Sequence, residues 1–296
     1  MKNVLYTFYN MSLMEINKDK DNYYFYHDNH LYIFYLVENS EEIVEKIYNY
    51  LLEHNIYSYK IILNKDNSLF TKVDNKKYSL LLIDGILKYE IKFDEFKYYP
   101  VNSVPQDWGI LWSNRLDYYS LQLRELGYNY QTVLNSYGFF EGLAENAILY
   151  YNLSIEKFKE EKIVAIVHNR MNYPCYSFEY DNPLNFVIDY SIRDISEYIK
   201  SYSISKDFDI ENVILLLSRL NVNKLMFNLL YSRLLYPTFY FDVFDKIILD
   251  NGMDNDVVIV LDNLNNYLSM LKEVYVVFAT KYDLLNIEWL NKNVEI

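Results

Sequence analysis

Apolar and polar positions alternate from residue 22 to residue 38, where Tyr, Phe, Ile and Val flank the polar turn Asp28-Asn29-His30. A period of two in β-forming residues on both sides of a turn predicts a hairpin. The pattern then becomes helical. Asn39 or Ser40 can cap the amino end, Glu41 and Glu42 suit the positive end of a helix dipole, and Ile43, Val44, Ile47, Leu51 and Leu52 form one stripe. Short apolar runs at 60–64, 69–73 and 77–83 predict further strands, and Asp84-Gly85 closes this part. Hairpin, helix and strands in that order describe a small α+β lobe with its boundary at about residue 85.

The rest of the chain reads mainly as helix. Beyond a charged, aromatic connection containing Pro100 and Pro105, the residues Trp108, Leu111, Trp112, Leu116, Tyr119 and Leu123 fall on one side of a helix. Another helix begins near Phe140-Glu141-Gly142 and runs through Leu143, Ala144, Ala147, Ile148 and Tyr151. Residues 162–168, Lys-Ile-Val-Ala-Ile-Val-His, predict a buried strand ending in a histidine. The stretch 184–199 reads as strand, acid, helix: Phe186-Val187-Ile188 delivers Asp189, and Arg193-Asp194 opens a helix with Ile195, Tyr198 and Ile199 on one face. Helices at about 210–220, 224–235, 239–250, 254–272 and 273–285 complete the pattern. The expected division is 1–85, a sheet with one helix, and 86–296, mainly helical.

Composition narrows the function classes. Of 296 residues 51% are hydrophobic, enough for a substantial core. The formal net charge of −13, with no dense run of Lys or Arg, argues against a nucleic-acid partner. The 34 Tyr accompany abundant Asn, Lys and Ile, which points to an AT-rich coding bias more than to stacking surfaces. A single Cys175 makes no intrachain disulfide, and His27, His30, His54 and His168 lack zinc-ligand spacing. The amino terminus is broken by polar residues, so no signal peptide is expected. No apolar run approaches the roughly 18 residues of a membrane span, so synthesis in the cytoplasm without membrane insertion is the expectation.

A strand ending in histidine, followed by an apolar strand ending in aspartate, resembles the protein-kinase-like fold of the aminoglycoside and choline phosphotransferases. In that superfamily the first loop reads His-Gly-Asp and the second Ile-Asp-aromatic; here they read His168-Asn169-Arg170 and Ile188-Asp189-Tyr190. A closer resemblance is to the CotS/YutH-type spore coat proteins of Firmicutes. It is carried by Trp108 and Trp112 with Arg115-Leu116-Asp117, by Gly142-Leu143-Ala144-Glu145-Asn146-Ala147-Ile148, and by His168 and Arg170. It continues through Pro183, Asp189, Arg193-Asp194 with Glu197, Arg233-Leu234-Leu235-Tyr236-Pro237 and Tyr240-Phe241-Asp242.

The resemblance implies a two-lobed kinase-like fold and sets the parts that phosphoryl transfer requires: a glycine-containing phosphate loop, a strand lysine, a catalytic aspartate and magnesium ligands. No glycine precedes Gly85, and the strand 31–37 holds no lysine. Without that lysine, Glu41, Glu42 and Glu45 read as a solvated face. Arg170 stands where the resemblance puts the catalytic aspartate, and a guanidinium accepts no proton. His168 is either a substitute base or a packed residue. Asp189 is either a vestigial magnesium ligand or a structural acid paired with Arg170, while Arg193 and Asp194 read as helix-start and buried-tie residues.

The expectation is therefore a pseudokinase that needs no cofactor and serves as a structural or interaction component of the spore coat, with other coat proteins as partners. The alternatives are an active phosphotransferase using ATP and Mg2+, with His168 as base, Asp189 on the metal and Arg170 or Arg193 on phosphate, and a nucleotide sensor without turnover. A sensor would be opposed by aromatic side chains such as Tyr32 or Phe34 filling the cleft.

Overall fold

A computed structural model describes residues 1–84, 89–126, 130–249 and 252–291. The expected boundary at Gly85 lies outside the described residues. By contacts the chain groups into two units, one of residues 1–99, 166–169 and 174–188, the other of residues 100–165, 170–173 and 189–296.

The first unit opens with α1 (Lys2–Tyr9), then β1 (Asn17–Asp19), β2 (Asn22–His27) and β3 (His30–Leu36), then α2 (Glu41–Glu53). Strands β4 (Lys60–Ile62), β5 (Thr71–Val73) and β6 (Lys76–Ile83) come next, with the short β7 (Glu90–Ile91) and β8 (Tyr99–Pro100) after them. The sheet is antiparallel in the order β1-β2-β3-β6-β4, with β5 also on β6. Two of its hairpins turn on an Asp-Asn pair: Asp28-Asn29 at φ 49° and 63°, and Asp74-Asn75 at φ 48° and 62°. Two-residue hairpin loops of the I′ type need positive φ at both centres, and in a chain this poor in glycine Asp and Asn take that role.

The pleat sends alternate residues to opposite faces of the sheet. Ile33, Leu81 and Ile83 pack with Val44 of α2, Tyr59 and Ile61. Phe25, Phe34, Tyr78 and Leu80 face the other way and are covered by Leu5 of α1 and by Met11. Ser40 caps α2 by accepting from the Ile43 amide at 3.4 Å. The single helix expected within residues 1–85 is thus joined there by α1. A helix of 8 residues is too short to stand on propensity, and its docked apolar side stabilises it.

The remaining elements are mainly helical: α3 (Trp108–Leu126), α4 (Gln131–Lys157), β9 (Val164–His168), β10 (Cys175–Tyr176), α5 (Ser177–Tyr180), β11 (Phe186–Tyr190) and α6 (Arg193–Ser203). Then come α7 (Ile210–Ser218), α8 (Lys224–Leu235), α9 (Thr238–Ile248), α10 (Asp254–Asp262), α11 (Leu264–Tyr282) and α12 (Glu288–Asn291). Helix α8 is buried from Leu225 to Leu235 and packs against α4, α6 and α11. Its sequence is apolar nearly all round, as a central helix requires.

Two expected boundaries move. Helix α4 begins well before Phe140, at Gln131. The helix break expected near 272 falls instead at Asn263, whose side chain donates to the Ile259 carbonyl at 2.9 Å. An asparagine that bonds back to its own helix competes with the backbone ladder and ends it there.

Candidate functional site

Strand β11 is buried at Phe186 and Val187 and carries Asp189 into the interior of the second unit, where the carboxylate is 0% exposed. Three donors meet it. The indole Nε1 of Trp108, at the first turn of α3, donates to Oδ1 and Oδ2 at 3.0 and 2.9 Å. The Tyr190 amide donates to Oδ1 at 2.8 Å, and Arg193 Nη1 donates to Oδ2 at 2.5 Å. A buried carboxylate is stable only when paired and hydrogen-bonded, and both oxygens here are engaged.

Arg233 of α8 links this carboxylate to a second one. Its guanidinium lies 4.5 Å from the centroid of the Trp108 ring, and its Nε donates to Glu197 Oε1 at 2.7 Å. Lys200, one turn after Glu197 on α6, donates to Glu197 Oε1 at 2.9 Å, to the Tyr236 carbonyl at 3.1 Å and to Thr238 Oγ1 at 2.5 Å. The buried cations Arg193, Arg233 and Lys200 thus outnumber the buried carboxylates Asp189 and Glu197. Burial alone would raise the Glu197 pKa, but Lys200, Arg233, Arg170 and Arg193 overcome it and hold the carboxyl well below its usual range. Burial pushes the Lys200 ammonium well below the usual lysine range; the attraction of Glu197 opposes this, and Arg233 and Arg170 add smaller repulsions to the side of burial.

The expected pairing of Asp189 with Arg170 is corrected by this geometry. Asp189 is tied to Arg193, within reach through the tight turn before α6. Arg170 instead forks onto Asp242 of α9, Nε to Oδ2 at 3.0 Å and Nη2 to Oδ1 at 2.7 Å. In the first unit, His168 is buried with Nε2 donating to the Tyr180 carbonyl at 2.8 Å, its ring against Tyr180 and Phe186. A carbonyl only accepts, so that nitrogen carries a proton and is not free to take one.

The other motif residues are dispersed. Arg115 is half-buried on α3 and its charge bears on Tyr236, Tyr119 and Asp245. Asp117 and Glu145 are exposed, and Asn146 bonds back to the Gly142 carbonyl at 2.7 Å within α4. Asp194 is half-buried in the first turn of α6.

Sequence reasoning read Trp108 as core and gave no role to Lys200 or Asp242. One signal was available: a fully buried indole needs an acceptor for its N–H, and a buried acid supplies one. Among the described residues, no group of three or more His, Cys, Asp or Glu is placed to hold a metal ion. No helix among them is long and apolar enough to cross a membrane.

Known proteins share this fold. An aminoglycoside phosphotransferase from Alicyclobacillus acidocaldarius superposes with a TM-score of 0.54 at 7% identity, covering 96% of this chain and 97% of that one. A spectinomycin phosphotransferase in complex with ADP and spectinomycin gives 0.54 at 12%, covering 96% and 98%. An amicoumacin kinase gives 0.51 at 11%, covering 88% of each chain. At these identities the likeness shows a kinase-like fold, with an antiparallel sheet and a mainly helical part, and nothing about activity. By sequence, the endospore coat-associated protein YutH of Bacillus subtilis (strain 168) is 26% identical over 180 residues, 54% of this chain and 52% of that protein. The match thus spans about half the length of this curated relative. The family model described as "Spore coat putative kinase YutH" matches residues 2–278, nearly the whole chain, and the protein belongs to that family.

Proposed function

We propose that this protein is a kinase-shaped scaffold without phosphotransferase activity, acting as a structural or interaction component in assembly of the spore coat. The observation that carries this reading is the filled carboxylate of Asp189. A magnesium ligand presents oxygen to a hard cation that keeps an octahedral shell of oxygens and waters. Asp189 presents its oxygens to an indole, an amide and a guanidinium. That donor set does not suit magnesium.

Arg170 supports the same reading. At the position where the superfamily resemblance puts the catalytic aspartate, it offers a permanent cation held by Asp242. The first sheet adds to it, since the turns Lys20-Asp21 and Asp28-Asn29 contain no glycine and β3 no lysine. The coat assignment comes from the family and from the Bacillus subtilis relative. Partners in the coat are, on this reading, proteins.

The test is a phosphotransfer assay with ATP and magnesium on purified protein, alongside a thermal melt. The expected outcome is no ADP formation above a denatured control. Ligand at a hundredfold excess over Kd would stabilise the native state by about 2.7 kcal/mol, a shift of several degrees, and none is expected. Turnover by the folded protein would overturn the proposal.

A further inference from the structure

The first unit contains a polar cleft of about 190 Å3 at the end of β3, where Tyr35, Leu36, Glu38 and Asn39 face Leu184 and Asn185. Ordinary small-molecule pockets run to about 300–1,000 Å3, so this one holds a side-chain-sized group and not a whole nucleotide. Its chemistry is that of an acceptor. The Asn39 amide nitrogen donates inward to the Leu184 and Phe186 carbonyls at 3.2 and 3.3 Å, which commits its N–H groups and leaves the side-chain oxygen as the group on offer. Glu38 is exposed and forms no ion pair among the described residues.

Two of the cations nearby are committed, and Lys18 bears on Asp21 as well. Lys76 pairs with Asp21 of the cleft wall at 2.9 Å, and Lys77 donates to the Asn39 carbonyl at 2.8 Å with its ammonium over the Phe70 ring. The carboxylates that bear on the Tyr35 phenol are Glu38 and Glu179; after burial, they and Tyr24 push its pKa up. Among the described residues, no lysine or arginine joins them in bearing on this phenol. A phosphate would meet like charge in this cleft. A cation would meet a carboxylate and an amide oxygen.

We propose that this cleft receives the guanidinium or ammonium end of an arginine or lysine side chain presented by another polypeptide. A divalent cation is the weaker fit, since no group of three or more His, Cys, Asp or Glu forms among the described residues. The inference rests on the reading of the protein as an interaction component and names the chemistry one of its partners brings.

The test is a calorimetric or NMR titration of the full chain with an acetylated, amidated Gly-Arg-Gly peptide, its lysine and glutamine counterparts, free arginine, and ATP with magnesium. Saturable binding of the arginine or lysine peptide is expected, weakened about tenfold by Glu38→Gln, since hydrogen bonds to a charged group are worth that much. Glu38 is exposed, so the variant should melt with the wild type. No saturable binding, equal binding of the glutamine peptide, or affinity unchanged in Glu38→Gln would each overturn the proposal. Free arginine binding as tightly as the peptide would overturn the polypeptide source. ADP formation in the presence of ATP would sink the scaffold reading alone, because the peptide titration is run without nucleotide.

Discussion

Arg193 donates to Asp189 at 2.5 Å with both side chains buried, the arginine 5% and the acid 0% exposed. An ion pair taken this far from water is costly to break on one side, because the survivor is left charged and unpaired. Asp189→Ala should therefore destabilise the protein by about 3–5 kcal/mol in urea denaturation, with or without ATP and magnesium. Asp189→Leu combined with Arg193→Met should cost less than either change alone. An Asp189→Ala protein as stable as the wild type would show that the acid is kept for something other than structure.

Trp108→Phe keeps a six-membered ring and removes the N–H that both Asp189 oxygens share, together with the rest of the five-membered ring. We expect a loss of about 1–3 kcal/mol, the cost of leaving a buried acceptor short of a donor. Equilibrium denaturation of this variant beside Trp112→Phe, whose indole has no part in the carboxylate, separates the hydrogen bond from ring packing.

Lys200 gives the protein a pH dependence of defined sign. Its folded pKa is depressed toward about 7 from the ordinary 10.5, by burial first, against the opposing attraction of Glu197. Between these values the unfolded chain holds the proton that the folded chain has released. Stability contributed through this group therefore rises as pH is raised from about 7 toward 10 and is flat below. Lys200→Met should flatten that part of the stability curve relative to wild type. A wild-type curve that falls through this window in parallel with the variant would show the ammonium to be charged in the native state.

Leu5, 0% exposed, anchors α1 on the sheet face that carries Phe25, Phe34, Tyr78 and Leu80. Leu5→Ala should cost about 2–5 kcal/mol, as large-to-small changes in packed cores do. Faster amide exchange confined to α1 and β2 would accompany it. A loss below about 1 kcal/mol would mean that α1 is a loosely held ornament.

The legible parts of this protein were those fixed by local period. The alternation in 22–38, the stripe of 41–53 and the strand, acid and helix of 186–203 each appear where the pattern puts them. Fold class followed from their order. Helix α1 escaped because its helicity comes from docking onto a sheet more than from its own residues. The tie to Asp189 was anticipated in kind but assigned to the wrong arginine. Arg193 lies 4 positions from its acid, whereas Arg170 finds Asp242 across 72 positions, a pairing no periodicity encodes. The fork on Arg170 depends on where the packing of α9 leaves its first turns.

Two of the three tryptophans of the chain stand together at this buried carboxylate. Trp108 lies against Trp112 with ring centres 5.3 Å apart, and Trp112 stacks on Tyr236 at 4.5 Å. Much of the intrinsic emission of the protein should therefore come from the neighbourhood of Asp189. An event that loosens Asp189, whether a partner or a substitution, should change the colour and intensity of that emission without a dye.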